Sequence, residues 1–293
     1  DLKLTYSEVG LIVALRSLAG AVINIPAGAL TDMLGRRKLM LVLTLLGLSA
    51  AYLAMGFANS FLLVAASFTA VGLANALWHP AAITTLSEQL PERRGFALSF
   101  HGTGGSVGNT LAPLVGGFVL VVLAWRQVIL VNVLPALVMA LLVLFLIRES
   151  QQRSMSNLSL KEYAVGIRQL LRNVPFLAIV VVSGASSVVL QTASAFLPLY
   201  LAREFHFNPA LVGFHVSLLT FAGMFSAPVL GLLSDRLGRK PVLIVGLTSI
   251  GVFVIALALL PAGIPFSLAV ALAGVFLYAL GAIIQASALD MTS

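Results

Sequence analysis

"GALTDMLGRRK" runs from Gly28 to Lys38 and "GLLSDRLGRK" from Gly231 to Lys240, each setting one acid and three bases between long apolar runs. At an offset of 203, Gly10, Gly20, Gly28, Leu30, Asp32, Leu34, Gly35 and Arg36 meet Gly213, Gly223, Gly231, Leu233, Asp235, Leu237, Gly238 and Arg239. The match passes through a whole apolar run without a gap, so it is an internal repeat and argues for two related halves.

The runs around the motif are those of a membrane protein. Apolar residues make up 60% of the chain and charged residues 9%, with a mean hydropathy of +1.06, far from the composition of soluble domains. The net charge of +7 does not indicate a nucleic-acid partner, because the bases sit in short connections rather than on one face. Cysteine is absent and the four His residues have no ligand-pair spacing, so no metal centre and no cofactor are expected. No nucleophile, base and orienting partner occur together, which argues against an enzyme. The start at Asp1, without a basic n-region or cleavage site, reads as the interior of a longer gene product.

About 20 apolar residues cross a hydrocarbon core of about 30 Å. Nine segments qualify, approximately 8–30, 38–58, 61–87, 95–121, 125–147, 174–202, 210–233, 240–260 and 264–288. A barrel would alternate apolar and polar residues, whereas "LVMALLVLFLI" over 137–147 is apolar throughout. The expected fold is all-α, a polytopic transmembrane helix bundle. One set of alternate connections holds Arg36, Arg37, Lys38, Arg93, Arg94, Arg148, Arg153, Lys161, Arg168, Arg172, Arg236, Arg239 and Lys240; the other holds only Lys3, Arg126 and Arg203. Because cytoplasmic loops carry the excess of Lys and Arg, both copies of the motif face the cytoplasm. The N-terminus then lies outside and the C-terminus inside, in what is expected to be the plasma membrane.

With these residues in hand, the chain resembles the major facilitator superfamily, whose cytoplasmic signature reads G-x-L-[ST/A]-D-[RK]-x-G-[RK]-[RK] and recurs six helices later. Met33 departs from the pattern where Arg236 keeps it. The resemblance implies two pseudo-symmetric halves of a twelve-helix fold and registers this chain as helices two to ten. Residues 1–147 form the N-terminal half with five spans and without the family's first helix; 148–173 form a cytoplasmic linker; 174–293 form the C-terminal half with four spans, lacking the last two. It implies that the motif (Gly28, Asp32, Gly35, Arg36 and Arg37, with Gly231, Asp235, Gly238, Arg239 and Lys240) steadies the conformation closed to the cytoplasm. Physically, Gly28 and Gly231 would admit close helix approach, and Gly35 and Gly238 suit an αL turn.

"HGTGGSVGNTLAPLVGG" from His101 to Gly117 lacks the Lys-Ser/Thr of a phosphate loop. As a helix it places Gly104, Gly108, Ala112 and Gly116 on one face, a small-residue stripe for tight packing, with Pro113 counted among the packing residues. It is similar to the superfamily's fifth-helix antiporter signature, with Ala112 in place of a glycine. The run "NALWHPAAITTLSEQLPERRGFALSFHGTGGSVGN" over Asn75 to Asn109 is similar to the fosmidomycin-resistance branch in its His-Pro ahead of a Gly-Gly. Phe68 stands where many proton-coupled exporters of the superfamily carry an Arg four residues before the glycine, here Gly72.

Ionisable and amide side chains inside spans are functional candidates by default. His79 and His101 fall at similar depths on consecutive antiparallel helices, with Asn75 and Asn109 one to two turns deeper. Asn75, Trp78 and His79 are first candidates for substrate or proton contact, and a His pair changes charge near neutral pH; the alternative is a helix-to-helix hydrogen bond without a transport role. Arg16 is the base well inside a span, opposite Leu219 in the repeat. It binds an anionic substrate group, snorkels outward or pairs with the absent first helix. Gln191, Thr192, His215 and Gln285 are the polar candidates of the second half. Glu88 and Asp290 close corresponding helices as gate or capping charges.

The expected function is secondary active transport of a small solute by alternating access, in a lipid bilayer, as a monomer when complete, with export coupled to protons. The alternatives are uptake of an organic anion or sugar, and a transport-inactive sensor or scaffold on the same fold.

Overall fold

A backbone in hydrocarbon must satisfy its own hydrogen bonds, and long apolar runs without alternation do so as helices. The computed structural model describes residues 2, 4–34, 36–148, 168–170 and 172–290. Its helices are α1 (Tyr6–Leu34), α2 (Arg37–Gly56), α3 (Phe61–Gln89), α4 (Arg94–Val122), α5 (Trp125–Val131), α6 (Val133–Leu146), α7 (Val174–Arg203), α8 (Pro209–Leu237), α9 (Arg239–Leu259) and α10 (Ile264–Asp290), with a 3-10 turn at Pro91–Arg93 ahead of α4. Among the described residues these supply nine candidate membrane spans and no strand, so the chain is an all-α integral membrane protein. Most of the linker expected over 148–173 lies outside the described residues, as do Gly35 and the side chain of Asp32.

Helix starts follow local chemistry. Ser60, Asn173 and Asn208 cap α3, α7 and α8, accepting from the backbone N–H groups of Leu63, Phe176 and Leu211, an exchange that satisfies donors otherwise orphaned at a helix start. The fifth expected span, 125–147, is two helices. Pro135 has no N–H for the Val131 carbonyl, and the Asn132 side chain donates to the Val128 carbonyl at 2.8 Å, so the ladder breaks at Asn132.

The chain packs as two compact units, Asp1–Gly102 with Val122–Asn157, and Thr103–Val121 with Leu158–Ser293. In the first, α1 and α2 pack along α3, and α2 also packs on α5 and α6. In the second, α8 and α9 pack along α10, which also meets α7; its core joins Leu201, Leu219, Phe266, Val270, Leu280 and Ile283. The repeat therefore extends from sequence to packing, since α1 on α3 and α2 on α3 in one unit match α8 on α10 and α9 on α10 in the other.

The match reaches single glycines. A Cβ on Gly72 would lie 2.5 Å from the Arg16 carbonyl oxygen, and Gly274 presses in the same way on Leu219. A Cβ on Gly20 would meet the Gly72 carbonyl oxygen, and one on Gly223 the Gly274 carbonyl oxygen, at 3.6 and 3.0 Å. Each unit thus crosses its first and third repeat helices at glycines, as small residues permit in membranes.

Candidate functional site

The motif bases are anchored. Arg37, the first residue of α2, is 2% exposed and pairs with Glu88 in the last turn of α3. Arg239, the first residue of α9, pairs with Asp235, lies 3.1 Å from the Asp290 carboxylate at the end of α10, and donates to the Ser234 hydroxyl at 2.8 Å. A base at a helix N-terminus opposes the macrodipole, and these carboxylates offset that cost.

The gap-free alignment put Arg36 opposite Arg239, and here the structure corrects it. Arg36 is exposed and precedes α2, whereas Arg37 and Arg239 each open their helices and each reach the end of the third repeat helix. The first connection carries one residue more than the second, which shifts the register by one. Glu88 and Asp290 are the partners of these bases rather than free capping charges. Gly238 has φ +92°, open to glycine without a Cβ clash, but its ψ of 154° is extended rather than αL. Gly28 and Gly231 do not mark close approach, because a Cβ on either meets nothing within 4 Å. Lys240 is exposed.

In α1, the Arg16 guanidinium carbon lies 5.0 Å from the centre of the Phe68 ring of α3, a cation–π contact.

His79 of α3 and His101 of α4 come together, with ring centroids 6.4 Å apart and planes at 77°. His79 and Asn75, one turn apart, are both exposed. Trp78 is turned from them, half-buried against the cluster of Met40, Leu41, Leu45, Ala81 and Val143, and its role is packing.

The stripe expected on α4 is displaced. Gly104, Gly108 and Ala112 are exposed, and a Cβ on Gly104, Gly108 or Gly116 meets nothing within 4 Å. The packed face is one residue round, at Thr110, Pro113 and Gly117. A Cβ on Gly117 would lie 2.5 Å from the Pro209 carbonyl oxygen and 2.9 Å from the Gly213 Cα, and one on Gly213 would strike the Pro113 carbonyl. Ser217 of α8 donates to the Thr110 carbonyl at 2.7 Å. Asn109 is exposed and lines a small cavity of about 110 Å³ with Ser106, Thr220, Met224 and Tyr278, four residues that sequence reasoning missed.

His215 is 5% exposed. Its Nδ1 lies 2.8 Å from the Leu211 carbonyl oxygen and its Nε2 3.0 Å from the Ser267 hydroxyl, among the rings of Phe207, Phe214 and Phe266. With both nitrogens bonded it is a packing residue, not an accessible proton or substrate contact. Gln191 is half-buried on α7 and Gln285 exposed on α10. No cluster of three or more metal-ligating side chains occurs among the described residues.

The sequence model of the Major Facilitator Superfamily matches residues 1–293. The chain is similar to the multidrug resistance protein MdtG of Salmonella arizonae, 30% identical over 250 residues, covering 81% of this chain and 59% of that protein. The MdtG of Citrobacter koseri is 31% identical with the same coverage. The chain thus spans 59% of the length of these curated relatives. A crystal structure of a bacterial homolog of the human lysosomal transporter Spinster, inward-facing and unoccupied, superposes with a TM-score of 0.79 at 19% identity over 99% of this chain and 72% of that one. The nucleoside transporter NupG superposes with a TM-score of 0.77 at 15% identity over 99% and 79%. These two likenesses concern the fold.

Proposed function

Because the chain belongs to the Major Facilitator Superfamily, we propose that it is the helical body of a secondary transporter that moves a small solute across the membrane by alternating access and exports it in exchange for protons. Its halves, residues 1–147 and 174–293, open in turn to the two sides of the membrane, with the linker 148–173 and both motif copies in the cytoplasm. The protein acts as a monomer in the plasma membrane. Family membership and relatives that are transporters argue against an enzyme.

The observation that carries this reading is the pair of charge latches, Arg37 with Glu88 and Arg239 with Asp235 and Asp290. Each ties the start of one repeat helix to the end of another at the same place in the two repeats, where the resemblance places the gate motif. Export is supported by the similarity to multidrug resistance proteins. Proton coupling is supported by the His79 and His101 rings, which α3 and α4 bring together, histidine being a side chain suited to carrying a proton. Asp32 and Asp235 act as gate residues rather than substrate contacts.

The test is tolerance of a compound panel by cells expressing the full-length protein, with and without a proton uncoupler. Raised tolerance that collapses with the uncoupler supports the reading. Counterflow in proteoliposomes insensitive to the pH gradient overturns the coupling, and the absence of counterflow overturns transport. Wild-type transport by Asp32→Asn and Asp235→Asn would overturn the gate assignment.

A further inference from the structure

The two repeats cross their helices in the same way but differ in what they put at the crossing. In the second unit the residue whose carbonyl meets the glycine is Leu219, 1% exposed, and Val270, one turn before Gly274 and in the same core cluster, is fully buried. In the first unit the same places hold Arg16 and Phe68, with the guanidinium 5.0 Å from the ring centre. The second unit shows that the crossing needs only apolar side chains, so packing does not call for the charge.

Nor does the charge escape to the outer face of α1. Leu11, Leu15, Leu18 and Val22 form that exposed stripe, whereas Arg16 shares the packed face with Ile12, Ala19 and Ile23. It lies ten residues into the 29-residue α1, roughly 15 Å from its start and inside a candidate membrane span. Among the described residues no carboxylate pairs with it. Its ring contact is with Phe68, which packs with Tyr52 around Ala51, Met55 and Val71, and the Tyr52 phenol, a neutral polar group, lies within reach of its field. A cation at that depth is costly and is retained where it meets a charged or polar counterpart. A ring face fixes the direction of a guanidinium without neutralising it, leaving its planar fork free for a bidentate oxyanion.

We propose that Arg16 is an anion-recognising residue and that the transported solute carries an acidic group, a carboxylate, phosphonate or sulfonate. This rests on the transport reading above and names the solute class that it leaves open.

The test uses the full-length protein and a panel of aryl and alkyl carboxylates, phosphonates and sulfonates, each beside its neutral amide or ester. Binding is read as thermal stabilisation in detergent, and transport as counterflow in proteoliposomes. Arg16→Leu with Phe68→Val reproduces the second unit's pair and is expected to fold with wild-type thermal stability. It is expected to lose at least tenfold in affinity for the anions with less than a twofold change for neutral analogues. Arg16→Lys keeps the charge without the fork and falls between. Moving the cation to α3, as Arg16→Leu with Phe68→Arg, is expected to restore part of the anion binding. Equal losses for both charge classes, no loss for either, failure of the wild type to bind any anion, or failure of the apolar pair to fold would each overturn the proposal. Anion binding without counterflow would leave Arg16 in its role and count against transport alone.

Discussion

Glu88→Gln tests the most buried charge in the described structure. Arg37 has a side chain 3% exposed and Glu88 one 17% exposed, so neutralising Glu88 strands a guanidinium with little water to replace its partner. Breaking such a pair from one side typically costs about 3–5 kcal/mol, whereas replacing both charges by apolar groups is close to neutral. Glu88→Gln is therefore expected to destabilise the first unit by about 3 kcal/mol or more, and Glu88→Leu with Arg37→Leu to recover most of it. Asp290→Asn, by contrast, removes a carboxylate that is 59% exposed, and exposed pairs are largely screened at physiological salt. The chain has two tryptophans, Trp78 in the cluster of Met40 and Leu41 and Trp125 at the start of α5, both in the first unit. Tryptophan fluorescence during thermal unfolding in detergent thus reports the affected unit, and far-ultraviolet circular dichroism follows both. If Glu88→Gln unfolds no earlier than Asp290→Asn, or if the double leucine variant is no better than the single one, the latch is not the buried pair described.

Adjacent glycines give a sharper contrast: Gly117→Ala is expected to cost about 1–3 kcal/mol through overpacking against Pro209 and Gly213 and Gly116→Ala almost nothing, read from unfolding midpoints by circular dichroism. His215→Ala is expected to lower stability by about 1–3 kcal/mol, because it opens a void among the rings of Phe207, Phe214 and Phe266 and leaves the Ser267 hydroxyl only the Gly263 carbonyl, and to leave the pH dependence of counterflow unchanged. His79→Gln or His101→Gln is expected to abolish the response of counterflow to a pH gradient while stability stays within about 0.5 kcal/mol of wild type, as for a surface substitution; a preserved response removes the pair from proton coupling.

Span number, helix type and the repeat were legible in the sequence because each is a property along one dimension: the length of an apolar run, the absence of alternation, the spacing of identical residues. What the sequence left open was rotational phase. A helix turns by about 100° per residue, so an error of one position moves a side chain to another face. The errors at Gly116 for Gly117, Arg36 for Arg37 and Trp78 beside His79 are all of this kind. No composition signal separates one glycine from the next in Gly116–Gly117, or one base from the next in Arg36–Arg37. Only the opposing helix does so, through the Gly213 backbone in one case and Glu88 in the other. The break at Asn132 was of a different sort, since Pro135 was visible but hydropathy alone does not register it.

Arg16 shows why the repeat matters more than its motif. Sequence alone exposed the asymmetry, a cation opposite Leu219, and could not say whether the cation faced lipid, a neighbour or a cavity. The structure supplies the second unit as an internal control, in which the same glycine-to-carbonyl crossing is made with apolar side chains. A duplicated fold thereby separates what packing needs from what it does not. Where the two copies agree, at Gly72 with Gly274 and at Glu88 with Asp290, the residues belong to architecture and its latches. Where they differ at the same crossing, and the difference is a charge inside a span, the cost is borne by one copy only, and packing does not require it; recognition of an acidic solute is the role proposed for that charge.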